Sequence, residues 1–264
     1  MGVLSSLKLK DYFTLIGTFF GFCALITAIM TEAYRAASIF VFLSILFDML
    51  DGYIARKTNQ INDLGKELDS LSDGFCFAIV PSVIIFRAYT LPLTSTGITG
   101  WNPFILFLPA FIFSVCGILR LAWFNISDNE CYTGLMTPLS AAFLVFWHMI
   151  DYYSFIYFGS QVTWLNIMMH NLIPFILIFI GWCNITDFIY YGREVRKKEG
   201  KAKRKIVIIL GLFVLLLILG LIMEEYVALL IVIFMSIFLG YEIYFIIQGF
   251  VNYARKKKEA QKEC

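Results

Sequence analysis

The chain has 264 residues, 60% of them hydrophobic and 15% charged, with a formal net charge of +2 at neutral pH. A soluble domain of this size carries charge on about a quarter of its residues, so the composition argues against an ordinary soluble fold. So small a net charge gives no reason to expect a nucleic-acid partner.

The apolar residues fall in long runs, and a run of about 18 or more reads as a membrane span. Eight spans are predicted in chain order, at 13–31, 36–56, 69–89, 103–125, 138–159, 163–192, 205–223 and 226–250. A short interfacial helix is expected over 3–12, with Val3, Leu4 and Leu7 on one side. Lys8 and Lys10 precede the first span as in a signal peptide, but no small-residue cleavage site follows, so the span reads as retained. The sixth run is long enough for a shorter span with a cytosolic helical extension.

Lys and Arg set the topology. Lys8 and Lys10, then Arg56, Lys57 and Lys66, then the basic run over 193–205, and finally the tail from Arg255 all fall on one side of an eight-span chain. Placing the N-terminus in the cytoplasm puts all of them inside, and only Arg35 and Arg87 fall near the outer face. The six cysteines form no C-x-x-C pair, and most sit inside apolar runs, so they read as small apolar residues. His148 and His170 stand alone in apolar stretches and read as packing or hydrogen-bonding residues.

The most informative stretch runs from 48 to 73. Asp48 and Asp51 end the second apolar run three residues apart, on one helix face. Asp69 and Asp73 open the third run four apart, again on one face. The link between is short and polar, so the two spans are antiparallel neighbours and their four carboxylates converge near one membrane interface. Four carboxylates in a partly desolvated place repel one another. Divalent cations remove the conflict, and hard oxygen ligands suit Mg²⁺ or Mn²⁺. A pair of ions bridged by aspartates suits phosphoryl-type chemistry. Single acids at span ends are common, whereas paired acids on both sides of one turn are costly and point to function. Gly52 lets a phosphate or ribose approach closely, Ala55 keeps the next turn small, and Arg56 stands one turn on, where it can pair with phosphate. Gly65 is placed to end a helix or to leave room for a base.

Read as a pattern, this stretch is D-x2-D-G-x2-A-R-x8-G-x3-D-x3-D. It resembles the signature of the CDP-alcohol phosphotransferase family, with every fixed position filled. The resemblance implies an all-α polytopic membrane bundle with a six-helix catalytic core, usually dimeric. Residues 1–192 would be that core, and 193–264 a basic loop, two further spans and a basic tail. It implies that Asp48, Asp51 and Asp69 hold the metals, Mg²⁺ or Mn²⁺ as two ions, and that Asp73 is the general base and also touches metal. Gly52, Ala55, Arg56 and Gly65 would contact the CDP portion, with Thr14, which stands in the family's Leu-Thr position.

Within the family the chain resembles the phosphatidylserine synthase branch. Arg120-Leu121-Ala122-Trp123-Phe124-Asn125 is similar to its R-L-A-x-F-N, and the segment Tyr132 to Pro138 is similar to its F-x-G-L-P-x-P. Met136 replaces a Pro, Tyr132 a Phe, and Lys10-Asp11 stand where many relatives have Pro-Asn. Arg120, Asn125 and Gly134 are then expected to bind the acceptor or a lipid phosphate. An acceptor carrying its own phosphate needs several cations, but the loop 126–137 holds Asp128 and Glu130 and no Lys or Arg. The expected reaction moves the lipid phosphate of a CDP-activated lipid, with ester or ether tails, onto L-serine and releases CMP, at the cytoplasmic face of an integral membrane homodimer. The alternatives are the same chemistry with glycerol phosphate or inositol phosphate, and, from another class, a cation transporter using the aspartates.

Overall fold

In the absence of water every backbone polar group must be satisfied within the chain, and helices achieve this segment by segment. The computed structural model describes residues 2, 6–58, 63–90, 100–126, 133–158, 163–191, 218 and 224–262. Among these residues the protein is helical, with no strand beyond one isolated bridge between Thr133 and Tyr190. Seven helices are long and apolar enough to cross a membrane. They are α1 (Leu9–Met30), α2 (Tyr34–Thr58), α3 (Asp63–Thr90), α4 (Pro103–Ile126), α5 (Thr137–Tyr157), α6 (Trp164–Ile185) and α7 (Glu224–Lys262). The expected span at 205–223 lies outside the described residues apart from residue 218, and so do Val3, Leu4, and the loop and basic-run positions at 91–99, 127–132, 159–162 and 192–205.

Helix α5 is the centre of the bundle. Of its most apolar window 78% is buried, against 22% for α7 and 28% for α1, which therefore lie at the rim. Phe146 of α5 meets Phe42 of α2 at 5.1 Å between ring centres, and Phe238 of α7 at 5.8 Å. Around α5, α1 packs along α2 and α4 along α6. Small residues permit these approaches, because apolar side chains gain nothing by leaving lipid for one another and close van der Waals packing drives association. Thr14, Gly17, Gly21, Ala24 and Ala28 form the buried stripe of α1, while Phe19 and Phe22 face outward. A Cβ on Gly21 would overlap the Cys76 sulfur, and one on Gly117 of α4 would stand 2.7 Å from Ala78 Cβ.

Three boundaries differ from the sequence expectation. α3 begins at Asp63, six residues before the predicted span, because the polar link is itself helical and Asp63 lies in its first turn, where an acid suits the helix dipole. Gly65 therefore lies buried within the opening turn of a helix and does not end one. The sixth helix stops at Ile185, short of 192. There the Thr186 hydroxyl accepts the Phe188 N–H at 3.3 Å, a local bond that competes with helix continuation. Residues 186–191 run on as a strap against other elements. At the other end of the chain, α1 starts at Leu9 with Lys8 already non-helical, so residues 9–12 belong to the first membrane helix and not to a separate interfacial one.

Within α3, residues Gly74–Ile79 form a π-helical turn immediately after Asp73. The four described cysteines, Cys23, Cys76, Cys116 and Cys183, are free, three of them buried. His148 packs edge-on between the rings of Tyr34 and Tyr89, in the packing role expected of it.

The tight α3–α4 crossing yields a direct test. Gly117→Val should destabilise the protein by about 1–3 kcal/mol, the usual cost of overpacking, read as a lower unfolding temperature in detergent. Adding Ala78→Gly should recover part of the loss, because the two positions are in contact. Additive losses in the double variant would contradict this packing.

Candidate active site

Helices α2 and α3 run antiparallel and bring their acidic ends together. One carboxylate oxygen from each of Asp48, Asp51 and Asp69 lies within 4.8 Å of the others. Asp73 joins them, lining the same crevice as Asp48 and Asp51. The expected convergence of four acids from two helix ends is thus present. Asp51 is buried and the other three are half-buried.

Carboxylates gathered this closely in a partly desolvated place repel one another. Hard cations relieve the same repulsion, and all the donors are carboxylate oxygens, the set that suits Mg²⁺ or Mn²⁺. A narrow crevice lies beside the acids, and Thr14, Gly17, Ser44 and Ser72 line it with Asp48, Asp51 and Asp73.

Thr14 is bound into this cluster. Its hydroxyl donates to Asp51 Oδ2 at 2.7 Å, which fixes one acid from α1. One turn later the Thr18 and Ser72 hydroxyls share a hydrogen bond of 2.7 Å. Lys10 and Asp11 also stand at this end, their side chains 3.1 Å apart, and both are buried. Asp11 accepts the Lys8 backbone N–H at 2.8 Å, closing the first turn of α1. Lys10 is close enough to Asp51 and Asp69 to act on both electrostatically. Among the described residues it is the one buried Lys or Arg. Sequence reasoning treated Lys10 as a topology charge and passed over Ser44, Ser72 and Thr18. The available signal for Ser72 was its place between Asp69 and Asp73.

Gly52 follows Asp51 directly and Ala55 lies about one turn further along α2, both half-buried, and Arg56 follows on the same helix, its side chain outside the described set. Gly65 lies buried at the start of α3. The three residues expected near the acceptor divide into two groups. Arg120 and Gly134 are in contact. Arg120 Nη1 donates to the carbonyls of Thr133 at 2.7 Å and Asn184 at 3.3 Å. Gly134 has φ +74°, and a Cβ there would overlap the Asn184 carbonyl and stand 2.8 Å from Arg120 Nη1. Asn125 instead contacts α3, its Oδ1 accepting from Ser70 Oγ at 3.1 Å, next to Asp69.

The structure is thus a helical membrane bundle with acids from two helix ends gathered together. The chain belongs to the CDP-alcohol phosphatidyltransferase family, whose sequence model matches residues 8–172, covering α1 to α5 and the start of α6. A CDP-diacylglycerol–serine O-phosphatidyltransferase of Methanocaldococcus jannaschii is 34% identical over 148 residues, 56% of this chain and 64% of that protein. An enzyme of the same name from Bacillus subtilis is 34% identical over 129 residues, 48% of this chain and 67% of that one. An archaetidylserine synthase of Methanothermobacter thermautotrophicus is 32% identical over 156 residues, 58% of this chain and 62% of that one. The matches therefore span about two thirds of those relatives, and slightly less for two of the three.

The Arg120–Gly134 contact carries its own prediction. Gly134→Ala places a side chain in the left-handed region, at a cost of about 1–2 kcal/mol, and drives it into the Asn184 carbonyl. The unfolding temperature in detergent should fall. An unchanged value would mean that this turn is not built as described.

Proposed function

We propose that this protein transfers the lipid phosphate group of a CDP-activated lipid to L-serine, releasing CMP, at the cytoplasmic face of the membrane. The observation that carries the reading is the convergence of Asp48, Asp51, Asp69 and Asp73 in a chain of this family. The serine acceptor is supported by the names of the relatives, two of which act with CDP-diacylglycerol and serine, and by the archaetidylserine synthase.

Asp48, Asp51 and Asp69 would hold two divalent ions, Mg²⁺ or Mn²⁺, with Asp73 beside them. Bound there, the ions supply charge neutralisation for the diphosphate and the leaving CMP. Thr14 orients Asp51 through its hydrogen bond. Gly52, Ala55, Arg56 and Gly65 receive the CDP portion. Asp73 takes the proton from the serine hydroxyl while that oxygen attacks the lipid-bearing phosphorus. The phosphorus–oxygen bond to CMP breaks as the new one forms, so no covalent enzyme intermediate is needed. Arg120 and Asn125 act on the acceptor side, and Gly134 holds the turn that brings Arg120 there.

The cytoplasmic placement is supported by Lys8, Lys10, Lys57 and Lys66 at the acidic end and Arg35 and Arg87 near the other. The catalytic core is 1–192 and the remainder an addition, consistent with a family match ending at 172. A homodimer is the assembly that the family resemblance implies.

Two measurements test the site. Asp69→Asn should weaken Mn²⁺ binding, read by titration of the metal's magnetic resonance signal without substrate, and abolish CMP release. Asp73→Asn should retain CDP-lipid binding and lose turnover by roughly two to four orders of magnitude, the scale of a lost general base. Near-normal turnover by Asp73→Asn would remove it from the chemistry. Mn²⁺ affinity unchanged in Asp69→Asn would remove the metal assignment. CMP release driven by glycerol phosphate or inositol phosphate, but not by serine, would change the acceptor alone.

A further inference from the structure

Asn184 lies in the last turn of α6, only 2% exposed, and neither Nδ2 nor Oδ1 of its side chain has a hydrogen-bond partner. Buried amides are nearly always satisfied, and leaving one unpaired is costly. Helical spacing puts Asn184 on the face of Leu177, Ile180 and Gly181. That face meets α4, since a Cβ on Gly181 would stand 3.1 Å from the Phe113 backbone. Further along α4 is Arg120, which bonds to the Asn184 carbonyl itself. A guanidinium and an unpaired amide therefore share one corner, at the membrane end where Asn125 reaches Ser70.

This corner is held from behind by parts of the chain beyond the family match. The Gly134 N–H donates to the Ile189 carbonyl at 2.9 Å and the Leu135 N–H to the Cys183 carbonyl at 2.7 Å. The strap 186–191 is in turn fixed to α7. The Tyr190 N–H donates to the Gly249 carbonyl at 3.1 Å, and Tyr191 Oη to the Phe245 carbonyl at 3.1 Å, with the two rings stacked at 4.1 Å. Gly249 leaves the room this docking needs, since a Cβ there would stand 3.1 Å from the Tyr191 ring.

We propose that Asn184 is an acceptor-specificity residue, held in position by the 186–191 strap and α7. The inference rests on the transferase reading above. An amide offers one acceptor and two donors. Its Oδ1 suits the ammonium of an amino-acid acceptor and its Nδ2 the carboxylate, beside the charge of Arg120. A diphosphate offers only acceptor oxygens, which would leave Oδ1 facing like charge, so the amide fits an amino-acid acceptor better than the diphosphate. Arg120 exchanges a backbone carbonyl for a carboxylate when the acceptor enters, replacing a neutral partner with a charged one.

The test uses the purified full chain with CDP-diacylglycerol, Mn²⁺ and L-serine. Asn184→Leu removes both polar atoms at nearly constant shape. A residue kept for packing should lose stability on substitution. An unpaired buried amide should not, so the unfolding temperature is expected to stay level or rise. The serine KM should rise about tenfold or more, the worth of roughly one lost hydrogen bond to a charged group, while the CDP-lipid KM stays within about twofold. An unchanged serine KM, or a parallel rise in both KM values with a lowered unfolding temperature, would overturn the proposal. Tyr191→Phe, which removes only the bond to α7, should raise the serine KM by a smaller factor. No change there would overturn the part assigned to the strap. If wild-type protein releases CMP with a different alcohol and not with serine, the serine reading fails. Asn184 is then judged by the KM of that alcohol.

Discussion

Repulsion among the acids at the ends of α2 and α3 is the constraint around which the rest is arranged. Like charges a few ångströms apart in a partly desolvated setting oppose one another far more than in water. Asp48, Asp51, Asp69 and Asp73 are nonetheless held together, so packing elsewhere must hold the two helix ends in place. The small-residue stripe of α1 does much of this. Gly17 and Gly21 let α1 lie against α2 and α3 closely enough for Thr14 to bond Asp51 and for Thr18 to bond Ser72. The π-turn at Gly74–Ile79 adds to it. A π-turn fits one extra residue into a helix, so it resets the register directly after Asp73. Asp73 can then face the crevice beside Asp48 and Asp51 while Cys76 and Ala78 turn into the core.

A second buried acid shows what a structural carboxylate looks like in the same bundle. Asp151 lies toward the other end of α5. Its Oδ1 accepts from Asn166 Nδ2 at 2.8 Å and its Oδ2 from Tyr89 Oη at 3.1 Å, while Asn166 also bonds Ser154. Each of its oxygens has a neutral donor, and the network ties three helices together. The acids of α2 and α3 have a different environment. They stand beside one another, with the Thr14 hydroxyl on Asp51 and the Lys10 ammonium nearby. Acids gathered in this way repel one another, whereas Asp151 meets only neutral donors.

The sequence made this end legible because the relevant spacing is local. Three- and four-residue intervals put Asp48 with Asp51 and Asp69 with Asp73, and a short link forces the two helices to be neighbours. What escaped depends on contacts between distant segments. Lys10 looks like any basic residue ahead of a first span, and its burial follows only from how α1 docks beside the acids. Gly65 looks like a helix terminator because Gly often is one, whereas the polar link had already begun α3. The run to residue 192 stays apolar enough to read as membrane, but Thr186 ends α6 by bonding its own neighbourhood. The π-turn leaves no mark in an apolar run.

The division between core and addition also looks different in three dimensions. By sequence the last spans follow a complete six-helix unit and invite being read as an appendage. In the structure α7 packs along α5, the most buried helix, and also fixes the strap that reaches Gly134. Arg120 bonds a carbonyl on each side of that junction, one from Thr133 and one from Asn184. Its position is therefore set jointly by α4, by the turn before α5 and by the end of α6. An arginine whose placement needs three elements is hard to move without moving the others. An element docked behind such a junction can shift Arg120 while leaving the carboxylates of α2 and α3 where they are, so the two groups of residues can vary independently.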